Sequence, residues 1–396
     1  MSQIEALIDK LCPGGVEFKA LGELLDYEQP GKYLVESMAY DDSHATPVLT
    51  AGQTFILGYT DELNGIYPAS PSKPVIIFDD FTTASKWVDF PFKAKSSAMK
   101  MITLKPDALE SLRYAYYAMQ IIPYTPQDHA RQWIGKYSNF RIPVPPIEVQ
   151  REIVKVLDTF TKLEAELEAE LEARRRQYAH YRDALLTFDE GGVRWIPMGD
   201  LGSLFGGLTG KSKADFQSGN ARYVSYMNVF ENISTNVLPD DVVNVADGER
   251  QRRLERGDIL FTGSSETPDE CGMSSVLTAE PPEPLYLNSF CIGFRPDAVD
   301  LLDPEFAKHL FRSSTMREQI VRTANGVTRF NVSKKRLAKV VVPVPPQGEQ
   351  HRIAFILDKF DALVNDLSVG LPAELTARRK QYEYYRDRLL TFEEAA

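Results

Sequence analysis

Cysteine is scarce in this chain: Cys12, Cys271 and Cys291 are the only three in 396 residues. An odd number, spaced so widely, excludes a disulfide framework and any CxxC zinc site, and it fits a reducing cytoplasm. Histidine is little commoner, and His44, His129, His180, His309 and His351 lie too far apart for a sequence-local metal site. No apolar run approaches the roughly 18 residues of a membrane helix. The opening MSQIEALIDK carries Glu5 and Asp9 and lacks the apolar stretch of a signal peptide. Basic residues are outnumbered, with 45 Lys+Arg against 56 Asp+Glu and a net charge of −11. That balance argues against a sequence-blind nucleic-acid binder while leaving room for local basic surfaces.

Catalytic motifs are missing as well. Phe205-Gly206-Gly207-Leu208-Thr209-Gly210-Lys211-Ser212 ends like a phosphate-binding loop, but Phe205 stands where the first glycine belongs. No clear strand leads into it and no evident long helix follows, so it reads as a Gly-rich loop. An amino-methyltransferase would carry an Asn/Asp-Pro-Pro-aromatic tetrad. Glu280-Pro281-Pro282-Glu283 and Val144-Pro145-Pro146-Ile147 have neither the polar head nor the aromatic. The acidic pairs Asp79-Asp80 and Asp240-Asp241 lack the Glu-x-Lys of a Mg²⁺ nuclease, and no nucleophile elbow is present.

What the chain does have is a repeat. Pro143, Pro145, Pro146, Gln150, Ile153, Leu157, Asp158, Phe160 and Leu163 recur 200 residues later. After four extra residues, Arg174, Arg175, Gln177, Tyr178, Tyr181, Arg182, Asp183, Leu185, Leu186, Thr187 and Phe188 recur 204 later. A shared start precedes each copy: Gly15-Val16-Glu17-Phe18 with Leu21-Gly22-Glu23-Leu24, and Gly192-Val193-Arg194-Trp195 with Met198-Gly199-Asp200-Leu201. The plan is two tandem units, each a start motif, a variable block, a proline gate and a helix. The variable blocks (about 25–141 and 202–341) do not resemble each other in sequence.

The gate, Pro-x-Pro-Pro, cannot sit inside a helix and reads as a rigid extended link. Beyond it, Ile153, Val156, Leu157, Phe160, Leu163, Leu167 and Leu171 form a helical stripe that continues through Tyr178, Tyr181, Leu185 and Phe188. Gly370 and Pro372 predict a kink or break in the second copy. A helix this long with one apolar stripe needs a partner. The other copy is the obvious one, and antiparallel pairing would create a pseudo-twofold axis. Expected interhelix positions are Leu157, Phe160, Leu163, Tyr178, Tyr181 and Leu185, with Leu357, Phe360, Leu363, Tyr382, Tyr385 and Leu389 in the second copy. The tyrosines are read as interhelix core in preference to partner docking. In the variable blocks, 74–78, 99–104, 257–262, 286–294 and 338–344 predict strands. Residues 107–119 and 303–320 predict helices, and the first fourteen residues a short docking helix.

Acids concentrate on the helices, whereas 90–106, 129–147 and 319–348 are basic windows without acids. The last two precede the gate in both units. Basic windows with Asn, Ser, Thr and aromatics can neutralise phosphates and present side chains to base edges. The nominated DNA-contacting residues are Lys86, Lys93, Lys95, Arg131 and Lys136 in the first block. In the second they are Arg222, Asn325, Thr328, Arg329, Asn331, Lys334 and Lys335.

The motifs ARRRQYAHYRDALLTF and ARRKQYEYYRDRLLTF, each preceded by a PVPP gate, resemble the specificity subunit of type I restriction-modification systems. The segment Gly326-Val-Thr-Arg-Phe-Asn-Val-Ser333 looks like one common at the end of this family's recognition domains. The first unit has QWIGKYSNF (132–140) instead, which implies different recognition subtypes. The resemblance spans essentially the whole chain. It implies an α+β fold of two mixed α/β target-recognition domains joined by two long antiparallel helices with pseudo-twofold symmetry. The expected division is 1–14 docking helix, 15–146 first recognition domain, 147–189 first spacer helix, 190–346 second recognition domain and 347–396 second spacer helix. The resemblance further implies a cytoplasmic subunit that is not itself an enzyme and holds no cofactor or metal. Its partners would be double-stranded DNA with a bipartite site, two methyltransferase subunits using S-adenosylmethionine, and restriction subunits using ATP and Mg²⁺. The competing readings are a coiled-coil adaptor, which predicts no DNA affinity even with partners, and an enzyme acting alone.

Overall fold

The computed structural model describes residues 2–395 apart from 53, 107, 109, 110, 190, 236–238, 299 and 300. The chain divides into two compact units, Met1–Glu166 with Leu375–Ala396, and Leu167–Glu374. Each closes on itself by the same device. Start motif and proline gate pair as a two-stranded antiparallel ribbon, Glu17–Ala20 with Arg141–Val144 in one unit and Arg194–Pro197 with Val341–Val344 in the other. The registers correspond, Glu17 facing Val144 and Arg194 facing Val344. Proline is tolerated because a two-stranded ribbon has only edge strands. A one-turn helix follows each start strand, Leu21–Leu24 or Met198–Leu201. Its glycine lies against the chain just before the gate. A Cβ on Gly22 would come within 3.3 Å of Ser138, and one on Gly199 within 3.2 Å of the Ala338 carbonyl.

The variable blocks, unlike in sequence, share a topology. In the first unit a four-stranded antiparallel sheet runs Leu25–Glu28, Met99–Leu104, Val75–Asp79, Ser85–Val88. The second repeats the order with Gly202–Gly206, Cys291–Pro296, Ile259–Thr262, Ser274–Val276. Each block adds a three-stranded sheet with one parallel pairing, Thr46–Leu49 beside Lys93–Ala94 and Ala221–Val224 beside Leu285–Leu287. The run 286–294, expected as one strand, is cut by a turn at 288–290, so its halves join different sheets.

The predicted helix at 303–320 is two helices, Pro304–Leu310 and Ser314–Val321. The side chains of Asp303 and Ser313 accept backbone N–H bonds at their starts, and such caps define separate helices rather than one. The predicted helix at 107–119 is observed as Leu112–Gln120, capped by Ser111; residues 107, 109 and 110 lie outside the described residues. A strand, Gly202–Gly206, does lead into the Gly-rich loop. Only a single 3-10 turn, Lys213–Phe216, follows it, and Lys211 is spent on Glu249 at 2.5 Å.

The first gate leads into one continuous helix, Ile147–Leu185, of 39 residues. At about 1.5 Å per residue it is roughly 58 Å long. The second copy is broken into Gln347–Asn365 and Leu371–Leu390. At Gly370 a Cβ would stand 2.4 Å from the Ala362 carbonyl oxygen, so only glycine fits the close turn.

Candidate nucleic-acid interface

Within each unit, two helical segments and a variable block form a clasp, and the repeated residues build it twice. Phe160 stacks on Tyr385 at 5.5 Å and 26° in the first unit, and Phe360 stacks on Tyr181 at 5.3 Å and 25° in the second. These four positions are equivalents under the 200- and 204-residue offsets. In the first unit Glu164 meets Arg379 while Phe160 meets Tyr382 and Tyr385, so one helix ascends as the other descends. Leu157 and Leu357 are fully buried, each worth about 1.5–3 kcal/mol against exposure. Tyr178 and Leu389 are buried too, and Leu185 packs on the core from a partly buried position.

Two expected interhelix residues require correction. Leu163 is 41% and Leu363 37% exposed. In the first unit the seam passes through Ile153, Leu157, Phe160 and Glu164, steps of four, three and four. Position 163 therefore falls one residue off the seam, and its equivalent does the same.

Several positions of the repeated RRxQYxxYRDxLLTF motif make equivalent contacts in both copies. Arg182 lies over the Tyr178 ring at 5.8 Å and Arg386 over Tyr382 at 5.6 Å. Each arginine also pairs with the next residue, Asp183 or Asp387, at 3.2 and 2.7 Å. Thr187 and Thr391 return their hydroxyls to the Asp183 and Asp387 carbonyls at 2.7 Å. The gate is fastened by a buried glutamine. Gln150 donates to the Pro145 carbonyl and accepts from the Ser111 N–H, both at 2.9 Å. Gln350 donates to Pro345 and accepts from Asp303, both at 2.8 Å. Each glutamine thus ties a gate to the start of a domain helix.

An aspartate two turns further on holds that helix. Asp158 accepts from Arg113 at 2.7 Å and Tyr117 at 2.6 Å. Asp358 accepts from His309 at 2.7 Å and pairs with Lys308 at 2.8 Å. Partial burial opposes the charge of Asp358, but the hydrogen bonds from His309 and Lys308 outweigh it and hold its carboxyl below the usual range. The other ring nitrogen of His309 lies 3.1 Å from the Tyr178 hydroxyl.

In the first variable block, Arg131 and Lys136 lie on a segment anchored by inward-turned aromatics. Trp133 and Tyr137 pack on Phe78, with ring centroids 5.1 and 4.9 Å away. The Trp133 N–H donates to Asp80 at 2.8 Å, and Asp80 forms a fully buried ion pair with Lys100 at 3.0 Å. Arg131, Ile134 and Lys136 remain on the outside. Lys136 is paired with Asp128 at 3.0 Å, a bond that raises the lysine and helps lower the aspartate. Lys86 is half-buried on an edge strand. Lys95 is half-buried against Tyr40, donating to its hydroxyl at 3.1 Å. Lys93 is a correction: it is only 3% exposed, ion-paired with Glu62 and bonded to the Asn64 carbonyl at 2.8 Å. A lysine whose charge is neutralised inside the fold has none left for a phosphate.

On the second domain, Arg222 departs from expectation in the same way. It donates to Glu283 at 2.8 Å and the Pro239 carbonyl at 2.7 Å, and pairs with Asp240 at 3.5 Å. The other six nominees come together. Ala324–Asn325 and Phe330–Val332 pair antiparallel, and Lys334–Leu337 forms a short helix immediately beyond. Asn325, Thr328, Arg329, Asn331, Lys334 and Lys335 are all exposed there. Gly326 makes the tip possible: at φ +145° its Cβ would lie 1.9 Å from the Arg329 carbonyl oxygen. The guanidinium of Arg329 donates to the Ser264 hydroxyl at 3.2 and 3.1 Å. Val327, at the tip, is almost fully exposed, as Ile134 is largely exposed between Arg131 and Lys136.

The sequence reading passed over a second basic run, Arg250, Arg252, Arg253 and Arg256, all exposed, with Arg252 over Phe205 at 4.4 Å. The signal was legible as RQRRLER, but interleaved acids hid it from a search for acid-free windows. Among the described residues no cluster of His, Cys, Asp and Glu could hold a metal, and no helix is long and apolar enough to cross a membrane.

Residues 13–173 and 194–377 match the family model described as the type I restriction modification DNA specificity domain. A type I restriction enzyme specificity subunit of Escherichia coli is 42% identical over 410 residues, spanning 99% of this chain and 97% of that protein. Two solved structures share the fold. The type I restriction-modification S subunit of M. genitalium matches with TM-score 0.54 and 15% identity, covering 95% of this chain and 96% of that one. A chain from a study of complex assembly and conformational transition of the type I system matches with TM-score 0.57 and 16% identity, covering 96% and 98%.

Proposed function

This chain belongs to the type I restriction-modification DNA specificity family, and from that membership we propose that it is the subunit that chooses the DNA sequence on which a methyltransferase and a restriction nuclease act. It does no chemistry itself. The two recognition domains, 15–146 and 190–346, each read one half of a bipartite double-stranded site. The helical segments, 147–189 and 347–396, set the gap between halves and dock two methyltransferase subunits. S-adenosylmethionine belongs to those subunits, which modify adenine. ATP and Mg²⁺ belong to restriction subunits that move along and cut unmodified DNA.

One observation carries this reading: the clasp is built twice from equivalent residues, while the surfaces it carries are unlike. Phe160–Tyr385 and Phe360–Tyr181 repeat almost to the degree. Yet an Arg131–Lys136 loop occupies the pre-gate window of one unit and the Asn325–Lys335 hairpin that of the other. A repeated frame holding two different readers suits a split, asymmetric sequence, because half-site arrangement follows protein geometry. The −11 net charge fits a protein that gains tight DNA binding only with basic partners. The test is an exchange of residues 202–341 for the corresponding block of the Escherichia coli relative, in complex with the cognate methyltransferase. One half-site should change, with the other half and the gap retained. Change in both halves, or in neither, would refute the assignment of one reader per half.

A further inference from the structure

Beside the Asn325–Lys335 hairpin lies a cavity of about 480 Å³ that no part of the sequence reading anticipated. Arg329 and Ser264 line one part of it, Glu266 and Glu270 another, and Met227 and Phe290 supply an apolar wall. Phe290 is 63% and Met227 51% exposed, so two large apolar side chains face solvent there.

The walls are held in place. Ser264 belongs to the strand that pairs with Phe330–Val332, and its carbonyl accepts from the Tyr226 hydroxyl at 2.7 Å. The loop from Ser265 to Gly272 is clamped by Arg317, which donates to the carbonyls of Asp269, Cys271 and Gly272 at 2.8, 2.7 and 2.5 Å. Glu270 is tied to the same loop through the Thr267 hydroxyl at 2.7 Å. Glu266 is exposed beside it. Arg329 has no ion-pair partner among the described residues, and its donors meet only the neutral Ser264 hydroxyl. A preformed site therefore presents a guanidinium and a carboxylate on one lining, with no ion pair between them.

This combination selects a ligand. Carboxylates on a DNA-facing surface repel phosphate, so Glu266 has no use as a backbone contact. In the major groove the only base donors are the amino groups of cytosine and adenine. A guanidinium fork matches the paired O6 and N7 acceptors of guanine. Only a G·C pair offers both complements at once, with guanine toward the arginine and the cytosine amino group toward the glutamate. We infer that this cavity reads a G·C pair in one half-site, with Arg329 on guanine, Glu266 on cytosine, and Phe290 and Met227 packed on the adjacent base edge. The inference rests on the specificity-subunit reading and deepens it by naming the base pair and two kinds of reader absent from the sequence nominations.

The test compares adenine-methylation motifs of the full-length chain, Glu266→Gln and Arg329→Ala, each co-expressed with the cognate methyltransferase in a host free of other adenine methylation. The wild-type motif should hold an invariant G·C pair in one half-site. Glutamine offers the donor and acceptor that suit adenine, so Glu266→Gln should admit A·T at that pair. Losing the bidentate guanine contact in Arg329→Ala should cut discrimination there by about 5- to 150-fold. The other half-site and the gap should stay as they are. Should Arg329→Ala fail to assemble, Glu266→Gln, a change at an exposed position, decides alone. A split wild-type motif unaltered in Glu266→Gln would overturn the inference while sparing the specificity reading. A loss spread evenly over all sequences would overturn it too, by making these residues general contacts. Absence of any split motif from the wild type, with an active partner, would remove the specificity reading and the inference with it.

Discussion

Deleting Glu164–Leu167 removes one turn from the long helix without changing its local sequence, because Leu163-Glu-Ala-Glu is followed by a second Leu-Glu-Ala-Glu from Leu167. Glu168 moves into the place of Glu164, opposite Arg379, so the clasp of the first unit keeps its seam. At about 1.5 Å and 100° per residue, the deletion shortens the helix by about 6 Å and leaves a net rotation of about 40°. B-form DNA advances about 3.4 Å per base pair and turns about 35°. The lost length corresponds to nearly two base pairs and the rotation to about one. The gap between half-sites should therefore shrink by one or two base pairs, with both half-site sequences unchanged. Duplexes carrying the wild-type half-sites at graded gaps, assayed for methylation by the complex, give the answer. An unchanged gap with altered half-sites would refute the helix as a ruler.

Three further outcomes follow from the clasp and the interface. Gln350→Ala leaves the Asp303 N–H and the Pro345 carbonyl without their partner in a buried place, and should destabilise the second unit by about 1–3 kcal/mol, seen as a lower unfolding midpoint by calorimetry; an unchanged midpoint would contradict the gate-fastening role. The folded carboxyl of Asp358 titrates below its unfolded value, so its contribution is complete above the unfolded pKa of about 4 and vanishes as pH falls through the lower folded value. Asp358→Asn should narrow its stability deficit against the parent on acidification below pH 4, whereas a deficit that widened there would reverse the sign. Finally, Lys335→Ala should reduce the salt slope of DNA binding by the assembled complex by about one, while Lys93→Met should lower stability and leave that slope unaltered; a changed slope for Lys93→Met would return that residue to the interface.

The frame was legible because its signals are local or repeated. Gly370 and Pro372 announced the break between Asn365 and Leu371, and the paired prolines announced an extended gate. The shared topology of the variable blocks was not legible, since strand order is set by alternation and turn placement and not by residue identity. Leu163 misled because a leucine one residue off the seam looks the same in sequence as one on it. Lys93 misled for a different reason: its partner Glu62 lies 31 positions earlier, outside the window in which its charge was counted. Arg222 is likewise answered by Glu283, 61 positions away. The cavity around Arg329 draws on residues from Tyr226 to Arg329, and no local pattern links them. Gly326 and Arg329, by contrast, fell inside a recognisable segment, and the steric need for glycine at the tip explains why the segment has that form.

Two unlike readers on one repeated frame should select a single split DNA sequence. Mapping methylated adenines after co-expressing the wild-type chain with its methyltransferase, in a host lacking other adenine methylation, tests this most directly. One new motif of two dissimilar specific halves around a fixed unspecified gap is expected. A continuous motif, or no new motif from a stable complex with an active partner, would contradict it.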